Sequence, residues 1–318
     1  MFAISKEGIS NPAKYGAQPI AMVFSKNADL DANILYVGTT KLAEIADAQP
    51  PKIRPDELCT GRNPPSQARY RQICARLEES LEDSDSDDAL ERRAKALARE
   101  RAGREISLPP GAQFGIIPPP KKDDQRTYII FHGSSDVGKS YTCAAYAEMY
   151  AAQHLDRKIY LLSPKDEDKA YAHLEKMGRV TRLNINDLMG KPTLENKDYA
   201  RSLFIYDDCE ALEEKKRKKV EAMRDAQILT GRSFGIDIAE CLHRLCDGQR
   251  TRAQLLEVEY LVFFRDSSRH HNNYVLENYL RFDRKMINRI LNSPSRWTLV
   301  RAKGGPQYCL GETEAWII

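Results

Sequence analysis

The chain has 318 residues, of which 42% are hydrophobic, so it is long enough to bury a core in one large domain or two smaller ones. Its 49 Lys and Arg residues nearly balance 46 Asp and Glu residues, and the formal net charge is +3. This balance excludes strong global attraction to nucleic acid or to a membrane surface and leaves room only for local basic patches.

The sequence also indicates the cellular compartment in which the protein is expected. No apolar run approaches the roughly 20 residues that a bilayer-spanning helix needs, so no membrane segment is expected. The opening letters MFAISKEGISNP lack the basic and apolar segments of a secretory signal. The seven cysteines are scattered without CxxC spacing, which favours a reducing compartment over a disulfide framework or a zinc ribbon. We therefore expect an intracellular protein.

Residues 1–108 are predicted to form a small α+β or helical N-terminal region, and their sequence indicates no function. Short apolar runs followed by helix formers predict two strands and then helices, at Ala21–Ser25, Ile34–Gly38, 40–48 and 66–104. The acidic run LEDSDSDDAL interrupts the last helical stretch. It fits a solvated turn with Asp87 or Asp88 capping the next helix, and it also fits a docking or phosphorylation segment.

A segment rich in Pro and Gly, SLPPGAQFGIIPPPKK, follows at Ser107–Lys122. Such a composition is typical of an extended linker. We therefore predict a domain boundary here, with a second domain over residues 109–318.

From Thr127 onward, strand-like and helix-like segments alternate, which predicts an α/β domain. Five apolar runs predict strands, at 128–132, 158–163, 202–208, 238–246 and 259–265. Helices are predicted at 139–154, 169–176, 210–229 and 272–291. Because the strands are almost continuously apolar, we expect a mostly parallel five-stranded core sheet covered on both faces. The residues from Arg296 onward predict a C-terminal β-hairpin with Gly304 and Gly305 at its turn.

The letters GSSDVGKS match the phosphate-binding pattern G-x-x-x-x-G-K-[ST], placed between a predicted strand and a predicted helix. Glycines let the backbone turn its N–H groups toward phosphates, and the start of the helix adds positive charge. Lys139 is expected to reach the β and γ phosphates, and Ser140 is expected to ligate Mg²⁺. The residues expected to contact the nucleotide are Gly133, Ser134, Ser135, Asp136, Val137, Gly138, Lys139, Ser140 and Tyr141. A strand-to-helix turn with an exposed lysine is the alternative.

Asp136 is unusual inside a phosphate loop, because a carboxylate close to phosphates repels them. We expect its side chain to point away from the phosphates. A lowered nucleotide affinity is the alternative.

The letters LFIYDD place acidic residues at the carboxyl end of a buried strand, where ligands bind in open α/β sheets. Asp207 is expected to hold Mg²⁺ together with Ser140. Asp208, or else Glu210, is expected to orient the attacking water. Acidic residues are also common at the start of any helix, so an ordinary helix N-terminus is the alternative.

The run IAECLHRLC precedes the last core strand, and His243 at its end is a candidate sensor of the γ-phosphate. Arg252 is the preferred arginine finger, a cation that reaches a neighbouring subunit's nucleotide. Arg250 and Arg232 are further candidates. For each arginine a solvated basic loop is the alternative.

Other nucleotide chemistries fit less well. A GTPase needs N-K-x-D, and the run NKDY at Asn196–Tyr199 is out of register with it. A small-molecule kinase needs an Arg-rich lid, whereas EEKKRKKVEAMR fits one exposed helical face. ATP as the cofactor and water as the acceptor are therefore the favoured interpretation.

Taken in order, these segments resemble the P-loop ATPases of large DNA viruses, which are related to FtsK/HerA-type packaging motors. The likeness begins near Phe114 and is strongest in TGRSFGI, Thr251–Arg252 and SPSRW at Ser293–Trp297. The residues it carries over are Gly133–Ser140, Asp207, Asp208, Arg232, His243 and Arg252. Asp136 and Val137 stand where relatives usually carry Ser or Gly, and His243 stands where packaging motors often carry Gln.

The resemblance implies a RecA-like core, Mg-ATP hydrolysis and a homo-oligomeric ring that moves double-stranded DNA into a capsid, with capsid or portal proteins as partners. It extends the expected location to the host cytoplasm, the viral factory or the virion. Three basic runs could neutralise DNA phosphates, at 214–224, 243–252 and 281–289, although solvated helix faces explain them equally well. The alternative function is a nucleotide-binding structural or assembly protein of a virion, in which ATP is a switch or a vestige.

Overall fold

The computed structural model describes residues 1–5, 16–38, 104–119, 125–190, 195–246 and 249–318. The helices predicted at 40–48 and 66–103 and the acidic run at 81–90 lie outside the described residues. No helix in the described part of the chain has the length and apolarity needed to cross a membrane.

Ten of the described strands form one large sheet with the strand order β4-β14-β13-β12-β11-β6-β10-β9-β7-β8. Its strands are β4 (Glu105–Ser107), β6 (Tyr128–His132), β7 (Lys158–Leu162), β8 (Val180–Arg182), β9 (Ser202–Asp207), β10 (Ile236–Leu242), β11 (Tyr260–Phe264), β12 (Trp297–Arg301), β13 (Tyr308–Gly311) and β14 (Glu314–Ile317). The strands from β11 to β8 in this order are mutually parallel. The prediction of an α/β fold with a mostly parallel core sheet is therefore confirmed.

Helices cover both faces of this sheet: α1 (Lys139–Gln153), α2 (Ala172–Lys176), α3 (Ile185–Met189), α4 (Glu214–Thr230), α5 (Gln249–Glu257), α6 (Arg269–Asn278) and α7 (Arg284–Leu291). Successive residues of β6 point to opposite faces, as the period of a strand requires. Ile129 belongs to the core cluster that α1 covers, and Ile130 belongs to the cluster that α4, α6 and α7 cover. Every residue of β6, β9 and β10 is buried, which accounts for their unbroken apolar sequence.

The helix predicted at 272–291 is wrong, because two helices, α6 and α7, occupy this stretch. Arg281 between them has a φ of 60°, in the left-handed region that a helix interior does not allow. Asp283 then caps α7, since its Oδ1 accepts the Met286 N–H at 2.7 Å. A local conformational break followed by a cap therefore separates the two helices.

Several predicted boundaries also shift. The strand predicted at 238–246 runs over Ile236–Leu242, so His243 lies just beyond its end. The helix predicted at 210–229 begins at Glu214, because residues 209–211 form a tighter turn. The short strand β8 was not predicted, since three residues are too few to show a pattern.

The predicted C-terminal hairpin is a three-stranded antiparallel unit, in which β12 pairs with β13 and β13 pairs with β14. Gly304 between β12 and β13 has a φ of 80°, which supports the predicted turn. β12 also pairs antiparallel with β11, so the unit extends the parallel sheet.

A second sheet is antiparallel and has the order β1-β3-β2-β5, with β1 at Phe2–Ser5, β2 at Gln18–Ser25, β3 at Ile34–Val37 and β5 at Ala112–Ile116. The two predicted N-terminal strands are confirmed in β2 and β3. The prediction of an extended linker is wrong for residues 112–116, where Ala112, Phe114 and Ile116 are buried in alternation and the strand pairs with β2. The boundary between residues 108 and 109 stays a prediction.

Candidate nucleotide-binding site

The predicted phosphate loop connects the end of β6 to the start of α1, as its pattern requires. A Cβ on Gly133 would lie 2.7 Å from both Ser267 Oγ and Val137 Cγ2, so any other residue there would force these side chains to move. Gly138 has a φ of 98° immediately before α1, a conformation that L-residues rarely adopt. Both glycines of the pattern therefore have a steric reason in this fold.

Asp136 lies on the exposed side of the loop with a φ of 62°. The left-handed conformation disfavours most L-residues by about 1–2 kcal/mol, and Asp tolerates it better than most because its short side chain bonds locally. The backbone geometry thus explains why an aspartate is tolerated at a position whose left-handed conformation usually favours glycine. The predicted effect of Asp136 on nucleotide affinity stays a prediction.

Lys139 is buried although it carries a charge, with 5% of its surface exposed. Its Nζ donates to the Ser134 carbonyl oxygen at 2.8 Å and lies 3.4 Å from Nδ1 of His243. An ammonium can only donate, so Nδ1 of His243 is on the accepting side of this contact. His243 Nε2 lies 2.9 Å from Asp208 Oδ1. The structure thus brings together Lys139, His243 and Asp208, which come from three separate segments of the sequence.

Asp207 ends β9, two strands away from β6, and it is fully buried. Ser140 Oγ donates to its carboxylate oxygens at 3.0 and 3.2 Å. Burial, followed by the neighbouring Asp208 carboxylate, raises the pKa of Asp207. A buried carboxylate beside a hydroxyl is an oxygen donor set that Mg²⁺ prefers, and a divalent cation would offset the burial of the negative charge. The residues present therefore fit the predicted metal.

Asp208 and Glu210 occupy different environments. Asp208 has a φ of 52°, and its Oδ2 lies 3.4 Å from the half-exposed Nζ of Lys165 in the loop after β7. Glu210 Oε2 accepts the backbone N–H of His243 at 2.7 Å, and burial raises the pKa of its carboxyl. Sequence reasoning missed Lys165, since no motif marks it and only the pairing of β7 with β9 brings it close.

The candidate arginine fingers lie outside this cluster. Arg252 is exposed on α5, and it has no hydrogen bond to the phosphate loop among the described contacts. Arg232 precedes the first residue of β10, whereas the phosphate loop follows the last residue of β6, so it lies at the opposite edge of the parallel sheet. Arg250 is in the first turn of α5. In the described part of one chain, neither Arg252 nor Arg232 has a hydrogen bond to the phosphate loop.

The loop after β6, the buried carboxylate of Asp207 two strands away and His243 just after the strand between them define the candidate site. The fold is RecA-like. The sheet order, with β10 inserted between β6 and β9, places all three features at one edge.

No family model matches the chain. It is 27% identical over 223 residues to the uncharacterised protein V3 of the Sputnik virophage, covering 68% of this chain and 85% of V3.

Three solved structures illustrate the structural likeness. The genome packaging NTPase B204 of Sulfolobus turreted icosahedral virus 2 is 12% identical with a TM-score of 0.42, covering 56% of this chain and 92% of B204. The conjugation coupling protein TcpA of pCW3 is 11% identical with a TM-score of 0.43, covering 65% of each chain. The Type VII secretion ATPase EccC of Thermomonospora curvata is 14% identical with a TM-score of 0.44, covering 65% of this chain and 28% of EccC. This chain spans just under two thirds of the length of TcpA and less than a third of the length of EccC.

Proposed function

We propose that the protein is an ATPase that hydrolyses Mg-ATP at the phosphate loop. The observation that carries the proposal is the joint placement of a buried Lys139 over the loop and a Ser140–Asp207 pair at the end of β9. A buried ammonium and a buried carboxylate are both costly without ionic ligands. A nucleotide phosphate would pair with the buried ammonium, and a divalent cation would pair with the buried carboxylate.

The roles follow from the contacts. Lys139 would exchange its bond to the Ser134 carbonyl for oxygens of the β and γ phosphates. Ser140 and Asp207 would hold Mg²⁺, which supplies charge neutralisation on the phosphates. His243, placed between Lys139 and Asp208, is suited to sense the γ-phosphate.

Asp208 is the proposed residue that orients and polarises the attacking water. Its carboxylate is only partly buried and lies beside His243, on the same edge of the sheet as Lys139. Glu210 is less suited to that role because one oxygen already accepts the His243 backbone N–H. We assign Glu210 to holding the turn after β10 in place.

DNA translocation is the finer proposal, and it rests on the family resemblance of the sequence. We propose a homo-oligomeric ring that moves double-stranded DNA into a capsid, in which Arg252 of one subunit serves the nucleotide of the next. The exposed position of Arg252 supports a contact between subunits. The basic face of α4 contributes less than its sequence indicates, since Lys218 and Arg217 pair with Glu214 and Glu221 on the same helix.

The assembly role, with ATP as a switch, keeps one observation in its favour. Both oxygens of Asp208 lie within 3.4 Å of basic groups, on Lys165 and His243. Carboxylate oxygens that already contact basic groups are less available to orient a water, which would slow hydrolysis. Under this second proposal the protein binds ATP and turns it over slowly. In either role we propose an intracellular location, with the virion as a second proposed location of the protein.

One experiment separates the two roles. The ATPase rate is measured with and without double-stranded DNA, with Lys139→Ala as the inactive reference. A rate that DNA stimulates several-fold supports a translocating motor. A slow rate that DNA leaves unchanged supports the assembly role, and full activity of Lys139→Ala overturns the site itself.

A further inference from the structure

The segment SPSRW has no part in the chemistry proposed above, yet its residues build one ordered loop beside the phosphate loop. Ser293 Oγ donates to Glu314 Oε1 at 2.8 Å, and Ser295 Oγ accepts the Glu312 N–H at 2.9 Å. Trp297 begins β12 and is buried in the core. Because the loop is fixed on both sides of Arg296, the backbone of that residue has a defined position.

The guanidinium of Arg296 is anchored as well. Its Nε and Nη2 donate to Glu312 Oε1 at 3.2 and 2.9 Å, and its backbone N–H donates to Glu312 Oε2 at 2.8 Å. The Glu312 side chain is 13% exposed, so the anchor is largely shielded from water. The remaining nitrogen, Nη1, has no hydrogen bond among the described contacts.

This nitrogen faces the phosphate loop. A Cβ built on Gly138 would lie 3.6 Å from Arg296 Nη1, and no nearer atom surrounds that position. Gly138 is the residue directly before Lys139, at the start of α1. A positively charged group with two free N–H donors is therefore next to the backbone that binds phosphates in this kind of loop.

The sheet order places the Arg296 guanidinium on the side of the phosphate loop opposite to His243. β11 and β12 lie on one side of β6, whereas β10 and β9 lie on the other. Ser267, just after β11, accepts the Ser134 N–H through its Oγ at 3.3 Å, and it lines the same side as Arg296. Lys139 meets His243 on the opposite side. A nucleotide in the loop would thus lie between two cations.

We propose that Arg296 donates through Nη1 to a phosphate oxygen of a nucleoside di- or triphosphate, with Glu312 as its positioning residue. The inference rests on the proposed function, because it requires the loop to hold a nucleotide. An ion pair on the surface contributes little to stability, so stability alone gives no reason for this anchored geometry. The planar guanidinium is held by a carboxylate through Nε and Nη2, and its Nη1 is directed at the phosphate loop. This geometry suits the recognition of a phosphate.

The test measures the dissociation constants of MgATP and MgADP by calorimetry for the wild type, Arg296→Ala, Arg296→Lys and Glu312→Gln. Loss of a charge-assisted hydrogen bond weakens binding roughly 10-fold or more, so we expect that loss for Arg296→Ala. Arg296→Lys is expected to fall between the wild type and the alanine variant. Glu312→Gln keeps the cation and loosens its anchor, so a smaller loss is expected, and no loss would overturn the positioning role.

Lys303→Ala is the matched control, since it removes one positive charge at the far end of β12. It should leave both constants unchanged, and thermal unfolding of each variant verifies that it is folded. Inorganic tripolyphosphate, competed against a fluorescent ATP analogue, separates the phosphates from the base. If Arg296→Ala weakens ATP but not tripolyphosphate, the phosphate assignment is overturned. If the wild type binds and Arg296→Ala binds equally well, this inference alone fails, whereas a wild type that binds no nucleotide overturns the proposed function.

Discussion

The phosphate loop has two sides that are built differently. On the side of β9 and β10, Lys139, His243, Asp207 and Asp208 form a partly buried cluster in which charged groups contact one another. On the side of β11 and β12, Arg296 is exposed and a single carboxylate anchors it. The difference indicates a division of labour. Under the proposed function, the buried side acts on a phosphate and a water, whereas the exposed side only binds the nucleotide.

The largest effect is expected from Lys139→Ala, because no other buried ammonium lies in the described cluster of the loop. We expect the hydrolysis rate to fall by at least about a thousandfold, since the transition-state charge on the phosphates loses its nearest cation. Steady-state phosphate release measures it. Lys158→Ala, at an exposed position at the start of β7, should retain the wild-type rate. A Lys139→Ala variant that keeps its activity would contradict the division between the two sides.

The second prediction compares the two candidate carboxylates on the buried side. We expect Asp208→Asn to lower the hydrolysis rate about a hundredfold or more while ATP affinity stays within a few-fold, because a general base acts in the reaction and not in binding. Glu210→Gln should lower the rate less, since its oxygen accepts a backbone N–H. Single-turnover rates and calorimetric affinities give both quantities. A larger rate loss in Glu210→Gln than in Asp208→Asn would reverse the two roles.

The third prediction concerns His132, the buried last residue of β6, which directly precedes the phosphate loop. Burial lowers the pKa of its imidazole to about 4, from an ordinary value of 6.5. As the pH falls, His132 is therefore protonated in the unfolded chain before it is protonated in the folded chain. The free energy of unfolding is highest above pH 6.5 and decreases as the pH falls toward 4. The free energy of unfolding should decrease by up to about 3 kcal/mol over this window.

His132→Leu is the control for this pH dependence, since the ring nitrogens of His132 lack hydrogen-bond partners in the described structure. Its free energy of unfolding, measured by denaturant titration at several pH values, should decline less steeply than that of the wild type. Equal slopes for both proteins would show that His132 is not the titrating group.

The smallest effect is expected from Asp136→Gly on the exposed rim of the loop. Glycine removes both the strain of a φ of 62° and the carboxylate near the phosphates. Its greater unfolded-state freedom offsets the gain in stability, so thermal stability should hardly change. ATP affinity should rise by at most about tenfold, as measured by calorimetry. An affinity that falls would show that Asp136 helps to bind the nucleotide or its metal.

Sequence patterns predicted the five core strands because buried parallel strands are apolar throughout, and they predicted the loop because its glycines have steric reasons. They failed where an interaction is not local. Ala112–Ile116 contains Gly and lies among prolines, yet it pairs with β2, more than 80 residues earlier in the sequence. The separation of α6 from α7 depends on the backbone of Arg281, whose side chain gives no signal of it.

The sequence by itself determined the fold class, the phosphate loop and the acidic end of β9, because each depends on a contiguous run of residues with its own physical requirement. Tertiary structure decided which side chains meet. The insertion of β10 between β6 and β9 brings His243 to both Lys139 and Asp208. The antiparallel pairing of β12 with β11 brings Arg296 to Gly138. The contacts of His243 with Lys139 and of Arg296 with Gly138 join residues more than 100 positions apart, and only the order of strands in the sheet specifies them.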